Sequence, residues 1–158
     1  MKTFAKIIAV AAFAAAAIGI STPSEAGLFS AFQPKPTVVA KISLSQQKLY
    51  LNVTDNRGRK SSYVWKVSTG AAGYATPKGH YRPTWLDKDH KSSQYEDAPM
   101  PYSVFFVDGI AVHGTQATAK LGQRASHGCV RLATENAATF FKVVQAYGKW
   151  NTKIIVTD

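Results

Sequence analysis

The chain is 158 residues long, with 19 lysines and arginines against 9 aspartates and glutamates and a formal charge of +10. That length suits one domain with a sizeable hydrophobic core. A single cysteine, Cys129, excludes an internal disulfide framework and a two-cysteine redox exchanger.

Residues 1–26 read as a secretory signal peptide. Lys2 and Lys6 supply the positive start, an uncharged run follows from Ile7 through Ile20, and Ser24 and Ala26 are the small residues of a cleavage site before Gly27. The apolar run is shorter than the roughly 20 residues a spanning helix takes, so no stable membrane insertion is expected after cleavage. No cysteine stands at the cleavage site to take a lipid. An exported, basic chain is drawn to wall polymers or anionic lipid. A nucleic-acid partner is not expected, because the basic residues are scattered rather than gathered in one stripe.

Residues 27–36, with Pro34 and Pro36, predict a short exposed arm, and residues 37–158 one further domain. Residues 37–43 and 47–53 are rich in β-branched and aromatic side chains and predict strands. Asp55-Asn56-Arg57-Gly58 predicts a turn, answered by a partner strand at 61–68. A glycine-rich loop at 70–79 closes with Thr76-Pro77-Lys78-Gly79, and a short strand is expected at 80–85. Residues 86–99 are polar and without period. A loop of that length is usually functional, which makes it a candidate lid bordered by Trp85. Residues 102–107 and 110–113 flank Asp108-Gly109, a strong hairpin signal that sets His113 at a strand end. A short helical turn is expected within 117–124. Thr134 is the expected N-cap of a helix reaching about Tyr147, because Ala137, Phe140, Phe141, Val144 and Gly148 recur on one face. Residues 153–156 predict a last strand. The fold class is mainly β, with one principal helix near the C-terminus.

The chemistry gathers around Ser126-His127-Gly128-Cys129-Val130-Arg131-Leu132. A cysteine left over in an exported chain is either an intermolecular bridge or a reactive thiol. Its thiolate is the attacking species, and histidine is the usual group to generate it near neutral pH. His113 and His127 compete for that base role, and geometry favours His113 from its strand end. Gly128 lets the chain turn tightly and lets a carbonyl approach the backbone, whose N–H groups can meet a developing oxyanion. The Gly114 carbonyl can fix the His113 tautomer. Zinc held by His113, His127 and Cys129 is disfavoured, because the one-residue gap between the last two strains tetrahedral chelation. No metal or other cofactor is expected.

These residues resemble a known family. His113-Gly114-Thr115 followed by Ser126-His127-Gly128-Cys129-Val130-Arg131 is similar to the signature of the L,D-transpeptidase catalytic domain. Residues 42–51, Ser68-Thr69-Gly70, Thr76-Pro77-Lys78-Gly79 and Met100-Pro101-Tyr102 resemble its other landmarks, so the likeness runs from about Val39 to Val156. The resemblance implies a β-sandwich-like catalytic fold and a periplasmic, wall-associated enzyme acting on peptidoglycan stem peptides. Members attack the bond after the L-centre of diaminopimelate in a tetrapeptide stem, release D-alanine, and pass the acyl-thioester to an amine as a 3→3 cross-link.

By the same resemblance, Cys129 is the nucleophile, His113 the base and later the acid, and Gly114 the carbonyl that orients it. Backbone N–H groups at His127, Gly128 and Cys129 form the oxyanion hole. Ser126, Arg131 and Tyr102 belong to the substrate region, with Met100 beside Tyr102 in a donor groove. Arg131 either meets a stem carboxylate or braces its own loop. Carbapenems are expected as covalent inhibitors. The acceptor stays open between a stem amine, an amine of an outer-membrane protein, and water. Two other classes are weighed: a wall-binding protein without turnover, and a secreted protein that dimerises through Cys129.

Overall fold

The computed structural model describes residues 34–158, and the signal peptide and residues 27–33 of the expected arm lie outside them. The chain runs β1 (Thr37–Ser43), β2 (Lys48–Thr54), β3 (Lys60–Lys66), β4 (Gly79–Tyr81), β5 (Trp85–Lys91), β6 (Pro99–Val107), β7 (Ile110–Thr115), β8 (Val130–Ala133), α1 (Thr134–Tyr147) and β9 (Thr152–Thr157). The strands form a five-stranded sheet, ordered β3-β2-β1-β9-β4, and a four-stranded sheet, ordered β5-β6-β7-β8.

Period-two alternation fixes which face of each strand is buried. Val38, Ala40 and Ile42 of β1, Leu49, Leu51 and Val53 of β2, and Ile154 and Val156 of β9 all turn into one core. The four-stranded sheet contributes Val104, Phe106, Val112, Val130 and Leu132 to the same core, so the two sheets share a single apolar filling. Helix α1 packs on β6 and β7 and completes that filling with Ala137, Phe140, Phe141 and Val144, the residues its periodicity marks. The result is the expected mainly β, sandwich-like architecture with one principal helix.

The Asp108-Gly109 hairpin forms as read. Both turn residues have positive φ (42° and 74°), as a type I′ turn requires, and Val107 pairs Ile110.

Three local expectations are corrected. The expected strand at 80–85 is split: β4 joins the five-stranded sheet and β5 the four-stranded one, with the buried Pro83 between them. Most of the expected lid is strand β5, paired with β6 from Trp85↔Phe105 to Lys91↔Pro99, which leaves only residues 92–98 as loop. An edge strand needs only its backbone ladder on one side, so its side chains can be as polar as these. Thr134 is the first helical residue rather than the cap; Ala133 caps without a side-chain bond, and the Thr134 hydroxyl turns to the Thr115 carbonyl at 3.4 Å.

Candidate active site

Parallel pairing of β7 with β8 sets His113 opposite Arg131. Paired residues share a face, and residues two apart on a strand share it too. Cys129, two before Arg131, therefore falls with Ala111, His113 and Arg131 on the outer face of the four-stranded sheet. Their neighbours Val112, Val130 and Leu132 point into the core. Cys129 also packs against Met100, Phe105 and Ala111, a second, smaller apolar cluster.

Two cavities meet at Cys129. One, of about 410 Å³, is lined by His113, Arg131, Met100, His127 and the 115–117 segment. The other, of about 530 Å³, runs toward Trp85, His90, Phe105 and Asp108. Ser92, Tyr95, Met100, His127 and Cys129 line both. The 92–98 loop thus lies over the thiol, and Tyr95 stacks on His127 with ring centroids 4.5 Å apart. Tyr74 meets the same imidazole edge-on at 4.6 Å. His127 is held between two aromatic rings, a role the sequence reading missed because Tyr74 and Tyr95 lie far from it along the chain.

His113 is buried, and its Nδ1 lies 2.8 Å from the Gly114 carbonyl. A carbonyl only accepts, so Nδ1 carries the hydrogen and a neutral ring keeps Nε2 as its free lone pair. Burial lowers the His113 pKa to about 4; the Gly114 bond opposes this, and nearby Arg131 and His90 add to it. Burial likewise raises the Cys129 pKa, against smaller opposite pulls from the Ala111 backbone and Arg131. At neutral pH the resting pair is thiol and neutral imidazole.

The cysteine loop is braced from behind. Ser126 donates its hydroxyl to the Cys129 carbonyl at 2.5 Å and accepts from the Gly128 N–H at 3.2 Å. Thr76 donates to the Gly128 carbonyl at 2.6 Å and accepts from the Gly70 N–H at 3.0 Å. Gly70 permits this approach: a Cβ there would lie 1.8 Å from the Tyr74 carbonyl oxygen. Gly128 itself sits at φ +114°, which an L side chain rarely adopts. Gln47 completes the brace by bonding the Thr69 hydroxyl at 2.7 Å and N–H at 3.0 Å.

These bonds move some expected site residues out of the site. Ser126 is a loop brace, its hydroxyl committed to the backbone. The Gly128 N–H is turned to Ser126, whereas the N–H groups of His127 and Cys129 have no protein partner among the described residues. Tyr102 lines neither cavity; it packs on the core side, 5.9 Å from the Phe141 ring. Its φ of +57° breaks the strand alternation, so Met100 stays on the outer face while Tyr102 turns to the helix. Arg131 braces its own loop by reaching the Ala125 carbonyl at 3.2 Å, and it also lines the cavity.

A family model for the L,D-transpeptidase catalytic domain matches residues 37–156. Among curated proteins, the probable L,D-transpeptidase YbiS of Escherichia coli K12 is 28% identical, over 56% of this chain and 36% of YbiS. The chain thus spans about a third of the curated relative it matches. An L,D-transpeptidase of Mycobacterium tuberculosis H37Rv superposes with a TM-score of 0.66 and 24% identity, covering 78% of this chain and 58% of that one. L,D-transpeptidase 3 of Mycobacterium tuberculosis, in complex with a faropenem-derived adduct, gives 0.66 and 23%, over 78% and 61%. At these identities the structural likeness speaks to the fold.

Proposed function

The chain belongs to the L,D-transpeptidase catalytic-domain family, and from that premise we propose that it is an exported cysteine acyltransferase of peptidoglycan stem peptides, with residues 37–158 as its catalytic domain. The observation that carries this reading is the shared outer face of β7 and β8, which sets Cys129 and His113 on one cavity with the imidazole tautomer fixed by Gly114.

In this reading the resting thiol is neutral, so its proton leaves as its sulfur attacks. His113 Nε2 takes the proton while Sγ bonds to the carbonyl carbon between diaminopimelate and the terminal D-alanine. The oxyanion meets the free N–H groups of His127 and Cys129. Collapse breaks the C–N bond, and His113 returns the proton to the departing D-alanine amine. A second amine then attacks the thioester and gives up its proton to His113, and the thiol is restored. The low proton affinity of His113 keeps the ring neutral and ready at any pH well above 4. Arg131 supplies a cation for a stem carboxylate in the first cavity.

Two openings on one thiol suit a two-substrate transfer. The second cavity is lined by Asp108 and the exposed Trp85 ring, both of which favour an acceptor that arrives as a cationic amine and gives one proton to solvent before it attacks. Export rests on residues 1–26, and a periplasmic, wall-associated location follows from it. Carbapenem acylation of Cys129 belongs to the same reading.

Incubating the protein with tetrapeptide stems, with and without a stem amine, and weighing the products tests the proposal. A cross-linked dimer that has lost D-alanine is expected. A tripeptide in place of the dimer assigns water as acceptor, and a tripeptide–protein conjugate formed only when a protein amine is added assigns a protein. Stem binding without turnover would make the chain a wall binder and overturn the reading.

A further inference from the structure

The outer face of the five-stranded sheet is rich in lysine and carries one shallow pocket of about 340 Å³, lined by Lys41, Ser43, Tyr50 and Asn52. Register gives its composition row by row. One row crosses Lys66, Lys48 and Ser43; the next crosses Val64, Tyr50 and Lys41; the third crosses Ser62, Asn52, Val39 and Lys153; Lys60 lies beside Thr54 at the far end. Lys41, Lys48, Lys60, Lys66 and Lys153 are all exposed, and none of them forms an ion pair among the described residues. No aspartate or glutamate stands in these rows. Asp158, which lines the pocket beside Lys41, is paired with Lys78, and Asp55, in the turn after β2, is held by Arg59.

The acids lie elsewhere. Asp87 and Asp89 are on β5, Glu96 and Asp97 in the loop over the thiol, and Asp108 in the β6–β7 hairpin, all on the four-stranded side. Five lysines therefore share one face that holds no carboxylate in its strand rows, while basic and acidic residues are mixed over the rest of the surface.

Neighbouring strands are about 4.8 Å apart, so adjacent lysines lie within the Debye length of about 8 Å at physiological salt. Their charges repel one another and act together on any anionic plane brought against them. Lysine presents a hydrated point charge on a flexible stem, without the fixed fork by which arginine grips a single phosphate or carboxylate. Such an array matches a fluid, planar field of negative headgroups better than a shaped polymer. The site lies on the outer face of the opposite sheet. A surface held by the lysine face therefore leaves both cavities open and directed away from it.

We propose that the outer face of β3-β2-β1-β9 docks the protein, peripherally and without insertion, on an anionic lipid bilayer. Docking turns the Cys129 cavities outward, toward material standing off the membrane.

Residues 34–158 form one compact unit with its own core, so the chain from Gly27 onward can be used for the test without the apolar leader. Its sedimentation with vesicles of phosphatidylglycerol and phosphatidylcholine, against vesicles of phosphatidylcholine alone, is the measurement. Binding is expected only to the anionic vesicles and is lost on raising the salt from about 0.05 to 0.5 M. Replacing Lys41, Lys48 and Lys153 together by glutamine is expected to weaken it on the order of a hundredfold. The same net change at Lys88, Lys91 and Lys120 is expected to weaken it no more than about fivefold, since those residues lie off the face. Equal losses in the two triple variants would reduce the effect to net charge and overturn the proposal. So would undiminished binding by the first variant, or failure of the unaltered chain to bind anionic vesicles at low salt. If the first variant keeps vesicle binding but loses adsorption to isolated sacculi, the face serves the wall polymer instead. Turnover of soluble stems is unchanged in both variants, which separates this result from failure of the proposed chemistry.

Discussion

The two sheets present the same kind of surface to the outside, alternate residues of paired strands, yet the two outer faces are chemically opposite. On the five-stranded sheet those positions hold Lys41, Lys48 and Lys153, each exposed and free of ion pairs among the described residues. On the four-stranded sheet the equivalent positions hold His113, Cys129 and Arg131, on a cavity overlain by residues of the 92–98 loop. Cover makes the difference. Under it, desolvation drives both titratable groups to their neutral forms, His113 down and Cys129 up, which are the states from which the proposed proton transfer starts. The open face keeps its charges and can attract, but it holds nothing in place.

The sharpest way to break that contrast is to remove the covered base. His113→Gln keeps a polar side chain of similar reach but no proton acceptor of matched affinity. It should cost roughly 10²–10⁴ in acylation rate, read by single-turnover mass spectrometry. No substitution on the lysine face should approach that with a soluble stem. The core beneath the open face should answer in stability instead. Leu51→Ala empties a fully buried position and should cost about 2–5 kcal/mol in urea unfolding, while kcat at a temperature where the variant is folded stays near that of the unaltered chain.

Cover also predicts a pH signature. Because the fold lowers the proton affinity of His113, the unfolded chain takes up that proton first as pH falls. The stability tied to this residue is therefore intact above about 6.5 and is lost progressively toward about 4. The loss is up to about 3 kcal/mol. Unfolding midpoints measured at pH 7 and pH 5 should draw together in His113→Gln, which has nothing to protonate there.

The smallest expected effect lies behind the site. Thr76→Val removes the donor to the Gly128 carbonyl and the acceptor for the Gly70 N–H, and should cost about 1–3 kcal/mol of stability. A larger fall in kcat than in stem affinity should accompany it, because the loop carries the thiol.

Much of this was legible in the sequence where one interaction dominates locally. The Asp108-Gly109 turn, the apolar face of α1 and the β1 span follow from dihedral preference and period alone. Cys129 and His113 stood out because so few roles fit a leftover thiol beside histidines, and the fold sets both on one cavity. What escaped depends on contacts distant in the chain. Strand β5 is polar in sequence and exists because β6 offers it a ladder. Tyr102 follows a strand pattern, yet its positive φ turns it to Phe141. Tyr74 and Tyr95 enclose His127, and Thr76 and Ser126 brace the loop, through partners that no spacing rule connects. The basic face was visible only as a total charge until register placed five lysines in adjacent rows.

The central claim is that Cys129, under cover and served by His113, carries the acyl group. Rapid quenching of the protein with a tetrapeptide stem, followed by intact mass, tests it directly beside Cys129→Ala and His113→Gln. The account predicts one adduct, of the stem less D-alanine, on the unaltered chain, a slowly accumulating one on His113→Gln, and none on Cys129→Ala. An adduct that persists on Cys129→Ala, or product released from that variant at an undiminished rate, would contradict it.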